Sequence, residues 1–331
     1  MIKDIMLISE LGELALIEKI RGYFSIGDSG VLIAIGDDAA VFSADKKNIV
    51  TTSDLMSEGV HFDYTYTTFY QVGFRLVISN VSDIYAMGAV PSYLFLNMAL
   101  TGKRSEEEFD DFLKGVREAC EHYNAKVLGG DLSLSIKGDF YSATLIGFAD
   151  RVKTRSGAKP GHNIFITGNT GDSAAGLAYL KYVKKRIPME KNMEYTSREI
   201  DGTILDTVRR HLIPCACNPE TFIDKIKAMI DISDGLLLDL YRICAESRAG
   251  ALIYRDNIPV SDGVRAIASM LEMDYMDFVL SGGEDYELII TSDSDHLDDC
   301  ILIGKIIKDG FFFVDSDGIR EKFVPKGYTH F

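Results

Sequence analysis

Apolar residues in this chain follow two rhythms. Between Tyr70 and Gly88, the residues Phe74, Val77, Ile78, Val81, Ile84 and Tyr85 recur at helical spacing, which predicts a buried helix. The same spacing predicts a short helix over 9–22, carried by Leu11, Leu14, Ile17 and Ile20. A helix over 105–123 opens on Ser105, with Glu108 placed to complete a capping box. Further helices are expected near 171–184, 236–247 and 264–271. Shorter apolar runs, bounded by glycine and polar residues, read as strands at 31–35, 47–52, 93–100, 126–130 and 142–148. Others follow at 163–167, 228–232, 251–254, 286–291, 301–307 and 311–314. Strands alternating with helices predict an α/β or α+β fold, with one domain over 1–150 and a second over 151–331.

Carboxylates recur where apolar runs stop. Val31 to Ile35 leads to Gly36-Asp37-Asp38, and Ile49 to Thr52 leads to Ser53-Asp54. Val127-Leu128-Gly129-Gly130 leads to Asp131, Ile230 leads to Asp231-Ile232-Ser233-Asp234, and Val279-Leu280-Ser281-Gly282-Gly283 leads to Glu284-Asp285. One such turn is ordinary, because acids serve as turn formers and helix caps. Gathered at one site, carboxylates repel by roughly a few kcal/mol per close pair unless cations lie between them. Magnesium takes one or two carboxylates per ion together with substrate phosphates, so several acidic loops suggest several magnesium ions on a nucleotide.

Composition narrows the setting. The 331 residues are 47% hydrophobic and 26% charged, which suits a globular chain with a large core and two domains. Thirty-five basic against 50 acidic residues give a net charge of −15, which argues against binding nucleic acid or an anionic membrane. No apolar run approaches the roughly 18 residues of a membrane span. The start of the chain is amphipathic and acidic, unlike a signal peptide. Cys120, Cys215, Cys217, Cys244 and Cys300 are odd in number and lack paired metal-ligand spacing, so reduced thiols and a cytoplasmic location are expected.

Three other stretches carry polar chemistry. Asn80, Ser82 and Asp83 interrupt the apolar helix, so Asp83 either meets a partner or faces solvent. The basic run 151–162 is a linker or a phosphate-neutralising segment, offering Arg151, Lys153, Arg155 and Lys159. Gly168-Asn169-Thr170-Gly171-Asp172-Ser173 joins a strand to a helix, as a tight turn or a weak phosphate-binding signal. The phosphate-loop pattern and the H-R-D motif of protein kinases are both absent.

Taken in order, these motifs resemble the thiamine-monophosphate kinase family, within the superfamily of aminoimidazole ribonucleotide synthetase. The resemblance rests on Gly36-Asp37-Asp38-Ala39-Ala40, Ser53-Asp54 with Glu58 to Phe62, and Asn80 to Asp83 through Met87-Gly88-Ala89. It continues through Gly129-Gly130-Asp131, Thr154 to Gly161, Gly171 to Leu177, Asp231 to Leu236, Ser281 to Leu288, and Lys326-Gly327-Tyr328.

The resemblance implies a homodimer of two-domain subunits, with N-terminal domains pairing and ATP beside the acidic loops. It implies transfer of the ATP γ-phosphoryl to thiamine monophosphate, giving thiamine diphosphate and ADP. By position, Asp38, Thr52, Ser53, Asp54, Asp83, Asp131, Asp231 and Asp234 would hold Mg2+, with Asp38, Asp54, Asp83 and Asp131 central to catalysis. Gly130, Asp131, Arg155 and Ser233 would contact ATP, and His61, Glu284 and Tyr328 the thiamine phosphate. A need for K+ is left open. Physical chemistry fits this implication: an anionic phosphate oxygen needs no general base as a nucleophile, so positioning and charge neutralisation suffice. Tyr328 can stack on a thiazolium or pyrimidine ring, and Glu284 can accept from an amino-pyrimidine; the structural alternatives are that Tyr328 packs and Glu284 caps. The chain departs from the family pattern at Ser53, at Leu132 after Gly129-Gly130-Asp131, and over 214–219. The competing readings are another ATP-dependent enzyme of the superfamily and a non-catalytic magnesium-nucleotide module.

Overall fold

The structure, a computed structural model, describes residues 31–33, 40–44, 47–193, 195, 197 and 200–330. The helix expected over 9–22 and the Gly36-Asp37-Asp38 turn lie outside the described residues.

Six strands form the first sheet: β1 Val31–Ile33, β2 Ala40–Ala44, β3 Lys47–Ser57, β4 Val90–Thr101, β5 Lys126–Ser135 and β6 Phe140–Ala149. Their order across the sheet is β1-β2-β3-β6-β4-β5, and only the β4–β5 pair is parallel. Two helices cover it, α1 Phe69–Ala86 and α2 Glu106–His122, each opened by a capping box. Thr68 pairs with Gln71 at the start of α1, and Ser105 with Glu108 at the start of α2, as the sequence predicts. Within α1 only Ser79 and Asp83 are not fully buried. They stand one helical turn apart, so they share a face.

Seven strands form the second sheet: β7 Asn163–Ile166, β8 Ala228–Asp231, β9 Gly250–Tyr254, β10 Leu288–Ser292, β11 Ile301–Ile307, β12 Phe311–Val314 and β13 Arg320–Lys322. The order is β13-β12-β9-β11-β7-β10-β8. Strands β7, β8 and β10 are buried along their whole length, which is why their sequences read as nearly unbroken apolar runs. Around them lie α3 Asp172–Val183, α4 Gly202–Leu212, α5 Leu236–Ser247, α6 Asp262–Met270 and α7 Tyr275–Ser281. Helix α1 of the first sheet packs against β8 of the second, so the two layers meet along the face that carries Ser79 and Asp83. Among the described residues, no helix is long and apolar enough to cross a membrane.

Two expectations about the acidic turns are corrected. Asp54 and Asp131 lie inside strands, not after them: β3 stays paired with β6 as far as Ser57, and β5 stays paired with β4 as far as Ser135. The residues beyond each acid keep alternating, so the pleat continues through the carboxylate. Val279-Leu280 belongs to helix α7, where the Asp274 side chain caps Met276 N. A short apolar run does not distinguish a buried helix from a strand, and here the cap decides.

Candidate active site

Each wall of the site comes from a different element. β3 contributes Ser53 and the half-buried Asp54, and Thr52 donates to Asp83 Oδ2 on α1 over 2.5 Å. β3 ends in a tight turn in which Gly59 N donates to Phe62 O at 2.8 Å, and His61 Nδ1 accepts from Ser57 N at 3.1 Å. Glu58 anchors this turn by accepting from Arg104 and from Asp139 N, each at 2.8 Å.

The second sheet supplies the opposite wall. β8 ends at Asp231, whose Oδ2 accepts from Ser82 Oγ of α1 at 2.7 Å. The chain then loops around the fully buried Asp239. Its Oδ2 accepts from the backbone N–H groups of Ser233, Asp234 and Gly235 at 3.0–3.1 Å. Arg242 Nη1 lies 2.6 Å from both Asp239 Oδ1 and Asp234 Oδ2. Burial pushes the Asp239 carboxyl up to about 7, against the pull of Arg242.

A second turn presses on this loop. Glu284 N donates to Ser233 O at 2.9 Å and Tyr286 N to Ile232 O at 3.0 Å. The contact needs glycine, because a Cβ at Gly283 would stand 2.2 Å from Ser233 O. Glu284 and Tyr286 both take left-handed backbone, at φ 63° and 54°, which turns neighbouring side chains to opposite sides. Asp285 points away and accepts from Gly171 N at 2.6 Å and Ser173 N at 3.0 Å, fixing the start of α3 beside the site. Glu284 points in. Arg75 Nη2 donates to its two oxygens at 2.7 and 2.8 Å. His211 Nδ1 lies 3.5 Å from Glu284 Oε2 and 3.0 Å from Ser173 Oγ. Burial holds the His211 imidazole well below its usual pKa, so it is neutral at pH 7.

These parts enclose a cavity of about 1110 Å³. It brings together Ser53, Asp54, His61, Asp83, Asp231, Ser233, Asp234, Glu284 and Tyr328 of the residues singled out in the sequence. Thr52 lies behind it, bonded to Asp83. Gly130, Asp131 and Arg155 do not line it, and Asp38 lies outside the described residues. Gly130 and Asp131 sit on the exposed edge strand β5, and Arg155 lies near the Asp239–Arg242 pair. The C-terminal segment borders the cavity: Tyr328 N donates to Asp234 O at 2.9 Å, and His330 packs between Tyr328 and His61 at ring distances of 5.0 and 5.2 Å.

Electrostatics divide the cavity. Burial, together with the nearby Asp234, raises the Asp54 carboxyl above its ordinary value, against a hydrogen bond from Ser79. Burial and His330 lower the His61 imidazole. The donor set around Asp54, Asp83 and Asp231 is all oxygen, from carboxylates and the hydroxyls of Thr52, Ser53, Ser79 and Ser82, which suits a hard cation such as magnesium. Among the described residues no three carboxylates, histidines or cysteines converge into a complete ligand cage.

Sequence reasoning missed Arg75, Asp239, Arg242, His211 and His330. Arg75 had a signal, as a charge inside a helix whose other residues are largely apolar. Asp239 had one too, in the first turn of a helix following Ser233-Asp234-Gly235.

Comparison with known proteins places this architecture in a class. Residues 36–149 match the family described as AIR synthase related protein, N-terminal domain. A thiamine-monophosphate kinase of Aquifex aeolicus is 33% identical over 98% of this chain and 100% of its own length. One from Salmonella typhimurium is 33% identical over 97% of this chain and 98% of its own. A solved structure described as AaThiL complexed with AMPPCP and TMP superposes with a TM-score of 0.86 at 30% identity, over 99% of this chain and 100% of that one. The chain belongs to the thiamine-monophosphate kinase family.

Proposed function

We propose that this chain transfers the γ-phosphoryl group of ATP to thiamine monophosphate, yielding thiamine diphosphate and ADP. One observation carries the reading: carboxylates from both sheets meet hydroxyls in a single cavity that also holds the Arg75-bound Glu284 and an aromatic border. It is supported by full-length similarity to thiamine-monophosphate kinases and to a structure described as complexed with AMPPCP and TMP.

Within this reading the acceptor phosphate is already anionic, so no side chain has to remove a proton from it. Magnesium, when bound, would neutralise charge on the transferring phosphoryl group. Thr52, Ser53, Asp54, Asp83, Asp231 and Asp234 would hold it, joined by Asp38 and Asp131. Ser233 sits on a backbone fixed by Asp239 and would contact the nucleotide, together with Gly130 and Arg155. Strand register supports the reach: Asp54 pairs with Ala143, Ala143 with Leu96, and Leu96 with Gly130. Three strand spacings put ~14 Å between Asp54 and Gly130. His61, Glu284 and Tyr328 would take the thiamine moiety, with Tyr328 against a cationic or aromatic ring.

The same reading includes a homodimer. Edge strand β5 exposes Val127, Leu128, Leu132 and Leu134 at 47–72%, a row that a second subunit would cover. It also takes residues 1–150 and 151–331 as the two domains, and the cytoplasm as the location, supported by five free thiols.

The test is turnover. Purified protein with ATP, Mg2+ and thiamine monophosphate should form thiamine diphosphate and ADP in equal amounts, followed by chromatography. ADP without thiamine diphosphate, or no product, would remove the reading.

A further inference from the structure

Arg75 is fully buried on α1, and its only ion pair among the described residues is with Glu284. One nitrogen, Nη2, spans both carboxylate oxygens, while Nε and Nη1 find no hydrogen-bond partner. A buried guanidinium with unfilled donors is an expensive core residue, and a packed apolar side chain would serve stability as well or better. Its position answers to something else.

Glu284 differs from Arg75 in every respect that bears on this. It is 29% exposed, lines the cavity, and rides on left-handed backbone that pins its Cα against Ser233. With both oxygens held from behind, its rotamer is fixed, and the lone pairs left over face the cavity. His211 flanks the same carboxylate without adding a charge.

We infer that Arg75 is a positioning residue: it holds Glu284 as a fixed anionic acceptor, so that the cavity selects a phosphorylated acceptor whose ring presents an amino N–H over one presenting an oxygen. The inference rests on the proposed placement of Glu284 at the substrate. A site built to accept a particular N–H rejects the analogue that lacks it more strongly than it rejects a change of size, because its buried acceptor is left unmatched.

The experiment compares kcat/KM for thiamine monophosphate with that for its analogue carrying oxygen in place of the ring amino group, together with the KM for ATP. Wild type is expected to favour the amino compound by roughly 10⁴-fold. Arg75→Met should bring the ratio to within about a factor of ten, and Arg75→Gln, which is shorter and uncharged, should give an intermediate ratio. Glu284→Gln, which offers a donor as well as an acceptor, should collapse the ratio, and the KM for ATP should hold in all three variants. A purely structural role predicts equal losses on both acceptors. An unchanged ratio in Arg75→Met beside a collapsed one in Glu284→Gln would overturn the role of Arg75 and leave the substrate placement standing. An unchanged ratio in Glu284→Gln would overturn that placement, and the inference with it. Should Arg75→Met not fold, Arg75→Gln decides, with an unchanged ratio overturning the inference.

Discussion

Two acidic groups in this chain show how one residue type takes opposite roles. Asp139 is fully buried and accepts from Arg104 Nε at 2.7 Å, Thr101 N at 2.9 Å and Tyr64 at 3.2 Å. Its charge is matched by a cation of the same chain, and with Glu58 it fastens the turn that carries His61. Asp54, Asp83 and Asp231 accept from the hydroxyls of Ser79, Thr52 and Ser82. Burial and Asp234 push the Asp54 carboxyl up. Asp139, matched by Arg104 away from the cavity, serves the scaffold; Asp54, bonded to a hydroxyl at the cavity wall, carries negative charge that a bound cation would offset.

The sharpest way to separate the two groups is to neutralise one member of each. Asp54→Asn should lower kcat by about 10³-fold, with the urea midpoint unchanged or raised, because the charge it removes opposes folding. Asp139→Asn should do the reverse: a stability loss of about 3 kcal/mol by urea unfolding, with kcat per folded molecule retained. If both variants lost activity at full stability, the division would fail.

Next comes the Glu284 end of the cavity, where His211 should leave a pH signature. Its folded pKa lies below its unfolded one, so the unfolded chain binds the extra proton. Its contribution is therefore intact above the unfolded value near 6.5 and lost as pH falls below it, by about 1.4 kcal/mol per pH unit. Asp239 and Asp285, both raised to about 7, act in the opposite direction over pH 4–7. The difference between wild type and His211→Gln isolates the histidine, and a flat difference from pH 7 to 5 would contradict its neutral state. The smallest effect belongs to an exposed pair: Arg117 and Glu121 lie 3.9 Å apart at 67% and 69% exposure, so Arg117→Ala should shift stability by less than about 0.5 kcal/mol.

Much of the layout is legible in the sequence where local rules act alone. Helix α2 could be drawn from Ser105 and Glu108, and α5 begins and ends where its pattern does. Asp231, Asp234 and Glu284 were legible as acids bordering apolar runs and Asp83 as an acid interrupting an apolar helix, and they meet in one cavity. The misplacements are of two kinds. Asp54 and Asp131 were set after strands because a carboxylate looks like a stop, whereas pairing with β6 and β4 carries the strands onward. Arg75 was visible as a charge in an apolar helix, but its partner was not, because Glu284 is 209 residues away and no local pattern links them.

The most direct test of the central claim is calorimetric titration of the protein with a non-hydrolysable ATP analogue, with Mg2+ and then with EDTA. If Asp54 helps to hold a cation on the nucleotide, binding should require Mg2+ and weaken at least about tenfold in Asp54→Asn. Equal binding in EDTA and in Mg2+, unaffected by Asp54→Asn, would contradict it.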